Sequence, residues 1–291
     1  MSTFFYKSKQ MLEMVRFEHT IFALPFALIG MLLASRETPG GFTVEMLGWI
    51  LLAMVGARSA AMSFNRLADA SLDAKNPRTK SRHIPAGILT RSQVVIFMLC
   101  SILLLEISAL ELNPLCFALS PIALFAILGY SYTKRFTSLC HLFLGFATGI
   151  APIGAWVAVK ASLSLVPLLL GLVVLFWIGG FDIIYALQDY EHDLKEVSMH
   201  SLPKKVGKRN ALIISRIMHT CMISLLIAIG LLAHLHILYF IGLVIVSSLI
   251  IWEQSLVKPD DISRVNLAFF TLNGWVSITL LFFVIIDGLW K

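Results

Sequence analysis

The sequence predicts an all-α, polytopic membrane protein with nine transmembrane helices. Of its 291 residues, 58% are hydrophobic and only 14% are charged, whereas a soluble domain carries about 25% charged residues. The mean hydropathy is +0.85. A soluble fold could not hide this much apolar surface, but a bilayer can, and apolar stretches long enough to span it recur along the whole chain.

Nine apolar stretches define the predicted spans. They cover residues 18–36, 44–64, 92–110, 114–133, 139–158, 164–187, 211–234, 236–256 and 266–289. Two of the predicted connections are long, at about 66–91 and 188–210, and long loops of compact proteins are often functional. We therefore expect a single transmembrane domain over 1–291, with cytoplasmic loops that cap its functional side.

The basic residues predict the orientation. With the N-terminus in the cytoplasm, 19 of the 23 lysines and arginines fall on the inner side and only three on the outer side. This is the bias of the positive-inside rule. It places both long loops inside and the C-terminus outside, in the cytoplasmic (inner) membrane. Topology accounts for most of the net charge of +6, so neither nucleic acid nor an obligate protein partner is indicated.

Two rows of acidic and polar residues adjoin the long loops, at the ends of the second and sixth predicted spans. The first row is Asn65, Asp69 and Asp73, and the second is Asp182, Tyr185, Asp189 and Asp193. The spacings i, i+4, i+8 and i, i+3, i+7, i+11 put each row on one face of a helix.

Carboxylates placed this close together repel one another, and at a membrane surface they are also poorly solvated. Their oxygens are hard ligands, which suit Mg²⁺ or Ca²⁺. Two rows next to basic loops could bind a diphosphate through Mg²⁺, with cations at Arg82, Lys134, Arg135, Lys204 and Lys205. The alternative is that the rows are solvated helix ends paired with loop lysines.

Arg58 lies inside the second predicted span, seven residues before Asn65 and on the same face. An arginine at this depth is costly and normally faces an anionic partner. That partner could be a carboxylate of the second row, a diphosphate or an acidic aromatic substrate. A purely structural salt bridge is the remaining alternative.

These residues resemble the motifs of the UbiA-type membrane prenyltransferases. The two rows resemble the family's first and second motifs, and the similarity extends along essentially the whole chain. The flanking segments that carry it are Arg58-Ser59-Ala60-Ala61, Arg82 to Gly87 and Tyr130 to Arg135. Among family members, the chain is most similar to 4-hydroxybenzoate polyprenyltransferases. The sequence from Phe181 to Asp189 also resembles that of a branch of the family linked to menaquinone made through futalosine.

The resemblance implies a UbiA-type bundle and a role for each residue. It implies two Mg²⁺ ions, one on Asn65, Asp69 and Asp73 and the other on Asp189 and Asp193. Lys134 with Arg82 or Arg135 would contact the diphosphate. Asp182 and Tyr185 would lie deeper, where the acceptor meets the allylic bond. Arg58 and Arg16 are candidates for binding the acceptor's carboxylate or the diphosphate.

The predicted activity is therefore Mg²⁺-dependent transfer of a polyprenyl group from its diphosphate to an aromatic acid such as 4-hydroxybenzoate. A dihydroxynaphthoate is the first alternative acceptor, and haem, homogentisate or a lipid phosphate are others. A membrane cation or metabolite transporter is the alternative outside the enzymes. It is disfavoured because the acids lie at helix ends, whereas transporters bind near the midplane.

Overall fold

The computed structural model describes residues 3–16 and 20–290, and the described chain is helical. The predicted start of the first span, at residue 18, and the C-terminal Lys291 lie outside these residues. The helices are α1 Thr3–Val15, α2 Thr20–Arg36, α3 Val44–Asp73, α4 Arg91–Leu112, α5 Pro114–Thr133, α6 Cys140–Lys160, α7 Leu165–Ala186, α8 Tyr190–Lys195, α9 Leu202–Leu232, α10 Ile237–Leu256 and α11 Asn273–Leu289. The all-α prediction is confirmed, since the only β contact between described residues is the isolated bridge Lys258–Asp261.

Eight helical segments of the described chain are long and apolar enough to cross a membrane, and two of them, Leu165–Lys195 and Leu267–Leu289, join neighbouring elements. A ninth span results if the bent pair Phe5–Val15 and Thr20–Arg36 counts as one. The chain is therefore an integral membrane protein. Helix α1 lies before the first predicted span. At the C-terminal end of α1, the Arg58 guanidinium donates a hydrogen bond to the Arg16 carbonyl at 3.5 Å.

Both predicted long loops are shorter than expected. Helix α3 continues to Asp73 and not 64, so the first loop is only 74–90. The predicted span ended at 64 because polar side chains follow it, but polar side chains do not end a helix. Helix α3 ends shortly before Asn76-Pro77, where the proline disfavours a helical conformation of the preceding residue. Most of 188–210 is also helical, because α8 occupies its beginning and α9 starts at Leu202, with Pro203 in its first turn. Proline is favoured there because it needs no amide hydrogen-bond partner.

The helices form two compact units, one of residues 1–20 and 43–132 and the other of 21–42 and 133–291. In the first unit α3 packs closely on α4, because Gly56 leaves room for the backbone at Ser101 and Leu105. The prediction of a single domain over 1–291 stays a prediction.

In the second unit, small residues bring α6 and α7 together. A Cβ atom on Gly149 would lie 2.5 Å from the Gly171 carbonyl oxygen, and one on Gly145 would clash with the Leu175 carbonyl. Such small-xxx-small spacing lets membrane helices approach closely. One turn before Gly145, near the start of α6, is His141. Its carbonyl oxygen would lie 3.2 Å from a Cβ on Gly179. The antiparallel register thus brings the start of α6 to the end of α7.

The same unit contains a short π-helix, Leu267–Leu272, immediately before α11. A buried polar network anchors it: Trp177 Nε1 donates to Asn273 Oδ1 at 2.6 Å, and Asn273 Nδ2 donates to the Ala268 carbonyl at 2.9 Å and to Glu253 Oε1 at 3.2 Å. π-Helical turns often mark functional sites, since they shift side chains out of α-helical register.

Candidate active site

The first row lies on one continuous helix, α3, as the face prediction requires. Asn65 Nδ2 donates to Asp69 Oδ2 at 3.2 Å and to Ser131 Oγ of α5 at 3.4 Å. Asp69 is buried, with 1% of its surface exposed. This hydrogen bond orients the Asn65 amide towards a carboxylate one turn away and keeps the two candidate ligands next to each other.

Asp73 completes this row and is also buried. Its Oδ1 accepts from Arg82 Nη1 at 2.7 Å. Its Oδ2 is buried without a hydrogen-bond partner in the part of the chain that the structure describes. Arg82, predicted to contact a diphosphate, therefore holds one of the candidate metal ligands.

Positive charge surrounds this carboxylate. Arg66 is buried on α3 and lies within electrostatic range of Asp73, Arg82 and Arg16. Burial and the Arg66 guanidinium lower the pKa of His83 in the following loop. His83 is therefore neutral at pH 7, and arginines carry the charge. This environment suits an anion with more negative charge than one aspartate can supply.

The second row does not lie on a uniform helix. Asp182 and Tyr185 are on α7, but the chain then tightens into a 3₁₀ turn, Leu187–Asp189, before α8 carries Asp193. A 3₁₀ turn advances 120° per residue, so the predicted single face, which assumed 100° throughout, is interrupted there.

Asp182 is bound to a residue that was not among the predicted site residues. The Nδ1 atom of His141 lies 2.7 Å from Asp182 Oδ2. His141 is buried at the start of α6. A single histidine near the start of an apolar span gives little signal in a sequence, because only the α6–α7 register shows what it contacts.

Asp193 is held by the segment that follows α8. It is buried and accepts from Ser201 Oγ at 2.9 Å. The neighbouring His200 N–H donates to the Lys134 carbonyl at 2.7 Å. Lys204 donates to the carbonyls of Glu196 and Met199 at 2.8 and 2.7 Å. The Lys204 ammonium group thus holds the connection between α8 and α9 in place, a role that the sequence did not indicate.

Tyr185 belongs to an aromatic cluster. Its ring stacks on Phe269 of the π-helix, with the centroids 4.1 Å apart and the planes at 33°. Phe269 also contacts Phe181 at 5.1 Å and Phe270 at 4.6 Å. Tyr185 was among the predicted site residues, whereas Phe269, which lies in another predicted span, was not. Such rings can stabilise a cation through their π faces.

The first row fits a magnesium ion. Within residues 3–16 and 20–290, no three His, Cys, Asp or Glu side chains form a metal-binding group. Mg²⁺ does not need such a cage, because it usually takes one or two carboxylates and completes its octahedron with water and substrate phosphate. The buried Asp73 Oδ2 is a hard oxygen donor for which a cation would compensate the cost of burial. The donor set of Asn65, Asp69 and Asp73 therefore suits this ion.

Solved structures share the fold. A UbiA homolog from Aeropyrum pernix, solved in its apo form, is 32% identical and superposes with a TM-score of 0.84, covering 94% of this chain and 98% of the homolog. A UbiA homolog from Archaeoglobus fulgidus, bound to DMAPP and Mg²⁺, has a TM-score of 0.70 over 96% of this chain and 98% of its own. Its identity is 18%, so it shows likeness of fold alone.

Sequence relatives agree. The 4-hydroxybenzoate octaprenyltransferase of Tolumonas auensis is 32% identical over 221 residues, which is 76% of each chain. That of Vibrio atlanticus is 28% identical over 252 residues, 87% of each chain. The model of the UbiA prenyltransferase family matches residues 23–275. The enzyme prediction is thereby confirmed over the transporter. The chain belongs to the UbiA prenyltransferase family.

Proposed function

We propose that this protein transfers a polyprenyl group from polyprenyl diphosphate to 4-hydroxybenzoate in quinone biosynthesis, with release of diphosphate. The observation that carries the proposal is the buried Asp73 carboxylate, with one oxygen on Arg82 and the other without a hydrogen-bond partner among the described residues. A divalent cation would bind the second Asp73 oxygen. The diphosphate attached to that cation would balance the positive charge of the neighbouring arginines. The acceptor is inferred from similarity to the 4-hydroxybenzoate octaprenyltransferases of Tolumonas auensis and Vibrio atlanticus.

We assign the site residues the roles that the resemblance to the family implies. Asn65, Asp69 and Asp73 would bind one Mg²⁺ ion, and Asp189 and Asp193 a second. Mg²⁺, when bound, neutralises the negative charge of the leaving diphosphate. Lys134, Arg135 and Arg82 would contact that diphosphate directly. Arg58 and Arg16 would recognise the acceptor's carboxylate, since a guanidinium pairs with two carboxylate oxygens.

The reaction breaks the bond between the allylic C1 and its oxygen and forms a bond from C1 to the aromatic ring. Tyr185, stacked on Phe269, would present a π face to the carbocation that develops at C1. The Asp182 carboxylate would lie beside the same carbon, stabilise its charge and accept the ring proton that is lost as aromaticity returns. Water has to be kept from the cation, because it would otherwise react with it.

Product analysis tests this proposal. Purified protein with Mg²⁺ and a polyprenyl diphosphate is given 4-hydroxybenzoate or a dihydroxynaphthoate, and the lipids are analysed by mass spectrometry. We expect prenylated 4-hydroxybenzoate and an equal amount of diphosphate, and no product when EDTA removes the metal. Prenylated naphthoate alone would shift the assignment to the alternative acceptor. Absence of any prenylated product would refute the proposal.

We also propose that the site faces the cytoplasm, with the protein in the inner membrane. The support is the charge bias, with 19 of the 23 basic residues on one side. A reporter that is active only outside the cytoplasm should be active when fused after the C-terminus and inactive when inserted in the loop 74–90. The reverse pattern would contradict this orientation.

A further inference from the structure

His141 is an unusual residue to bury in an apolar membrane helix. Its side chain is 6% exposed, and burying an imidazole is costly unless both nitrogens find partners. Both do: Nδ1 contacts Asp182 Oδ2 at 2.7 Å, and Nε2 accepts the backbone N–H of Leu202 at 3.3 Å. The imidazole therefore connects three helices, α6, α7 and α9.

These two contacts fix the tautomer. A backbone N–H can only donate, so Nε2 must be the unprotonated nitrogen, and the ring proton is on Nδ1. Nδ1–H then donates to Asp182. The ring is neutral in this arrangement. Because both of its nitrogens are hydrogen-bonded, it has one defined orientation.

Asp182 stays accessible while it is held. Its side chain is 23% exposed, although its partner is almost fully buried. One carboxylate oxygen is thus fixed from the protein side, and the group still has an open side. This is what a reacting carboxylate needs: a defined direction together with access to substrate.

The segment His200–Leu202 is bonded to both ends of the second row. Leu202 binds His141, and through it Asp182, while Ser201 Oγ donates to Asp193 Oδ2 at 2.9 Å. His200 adds a bond to the Lys134 carbonyl. The start of α9 therefore orients two carboxylates that are eleven residues apart and separated by the 3₁₀ turn.

We infer that His141 is a positioning residue for catalysis, which holds the Asp182 carboxylate in its reactive orientation and couples it to the start of α9. The inference deepens the proposed function and rests on it. It assigns His141 no contact with either substrate. Its loss should consequently lower kcat and leave the KM for the prenyl diphosphate nearly unchanged.

Three substitutions of His141 separate this role from simple packing. H141N keeps an N–H close to the position of Nδ1, H141Q places its amide near the position of Nε2, and H141L removes both. We expect H141L and H141Q to lower kcat about 10- to 100-fold, as for other residues that orient a reacting group. H141N should recover most of kcat. The matched control is H234N, since His234 is exposed and has a φ of 48°, which asparagine tolerates.

A readout that does not depend on activity is the histidine tautomer. In ¹⁵N-histidine-labelled protein in detergent, the signal lost in H141N identifies His141 among the 8 histidines. We expect the neutral Nδ1–H form, and the Nε2–H form would contradict the inference. So would unchanged kcat in H141L, or equal kcat in H141N and H141Q. If the wild type makes product and H141L keeps its kcat, only this inference fails; if the wild type makes none, the proposed function fails and this inference with it.

Discussion

Replacing Asp69 by asparagine should reduce prenyl transfer at least about 100-fold, the effect of removing one preorganised charged group from a transition state. The substitution removes the charge and keeps the shape. Asn65 can still donate to the new amide's oxygen, as it does to Asp69 Oδ2 at 3.2 Å, so α3 should fold normally. Steady-state kinetics of the purified variant at saturating Mg²⁺ measure the loss.

The matched control is Glu45→Gln, which makes the same change of charge on an exposed side chain in the first turn of the same helix. It should keep wild-type kinetics. A second measurement uses thermal melting. Mg²⁺ with diphosphate should raise the melting temperature of the wild type, because ligands stabilise the state they bind, and should raise that of D69N much less. Wild-type activity in D69N would exclude Asp69 as a metal ligand.

Asp287→Ala should destabilise the protein by about 3–5 kcal/mol, the usual cost of removing one partner of a buried ion pair. The Asp287 side chain is fully buried and lies 3.4 Å from the Arg36 guanidinium. It also accepts the backbone N–H groups of His236 and Tyr239 at 3.0 and 3.2 Å, at the start of α10. Its loss leaves all three donors without this acceptor.

Unfolding in mixed micelles of a mild detergent and SDS measures this effect. The control is Asp260→Ala, because Asp260 is exposed in the connection after α10. Asp287→Asn should lie between the two, since its carbonyl oxygen can still accept an N–H while the charge is gone. If D287A and D260A unfold at the same SDS fraction, the carboxylate does not hold α2 to α10 and α11. Neither variant should change the KM for the prenyl diphosphate in folded protein.

Much of the first row could be predicted because it depends on one helix. The spacing of Asn65, Asp69 and Asp73 is a local property, and any α-helix through them puts the three on one face. The error concerned the end of α3, because hydropathy reports which residues face lipid, whereas the helix ends where the chain meets Asn76-Pro77. The second row was predicted less well, because the 3₁₀ turn at Leu187–Asp189 breaks its periodicity.

Composition and local patterns alone determined the class, the approximate spans and the two motifs, because a membrane requires helices and helices fix local spacing. Partners distant in sequence were decided by the tertiary structure. His141 meets Asp182 across 41 residues, and Arg36 meets Asp287 across 251. Such pairs depend on how closely helices such as α6 and α7 pack and in which register. That depends on glycines whose partners no local pattern identifies.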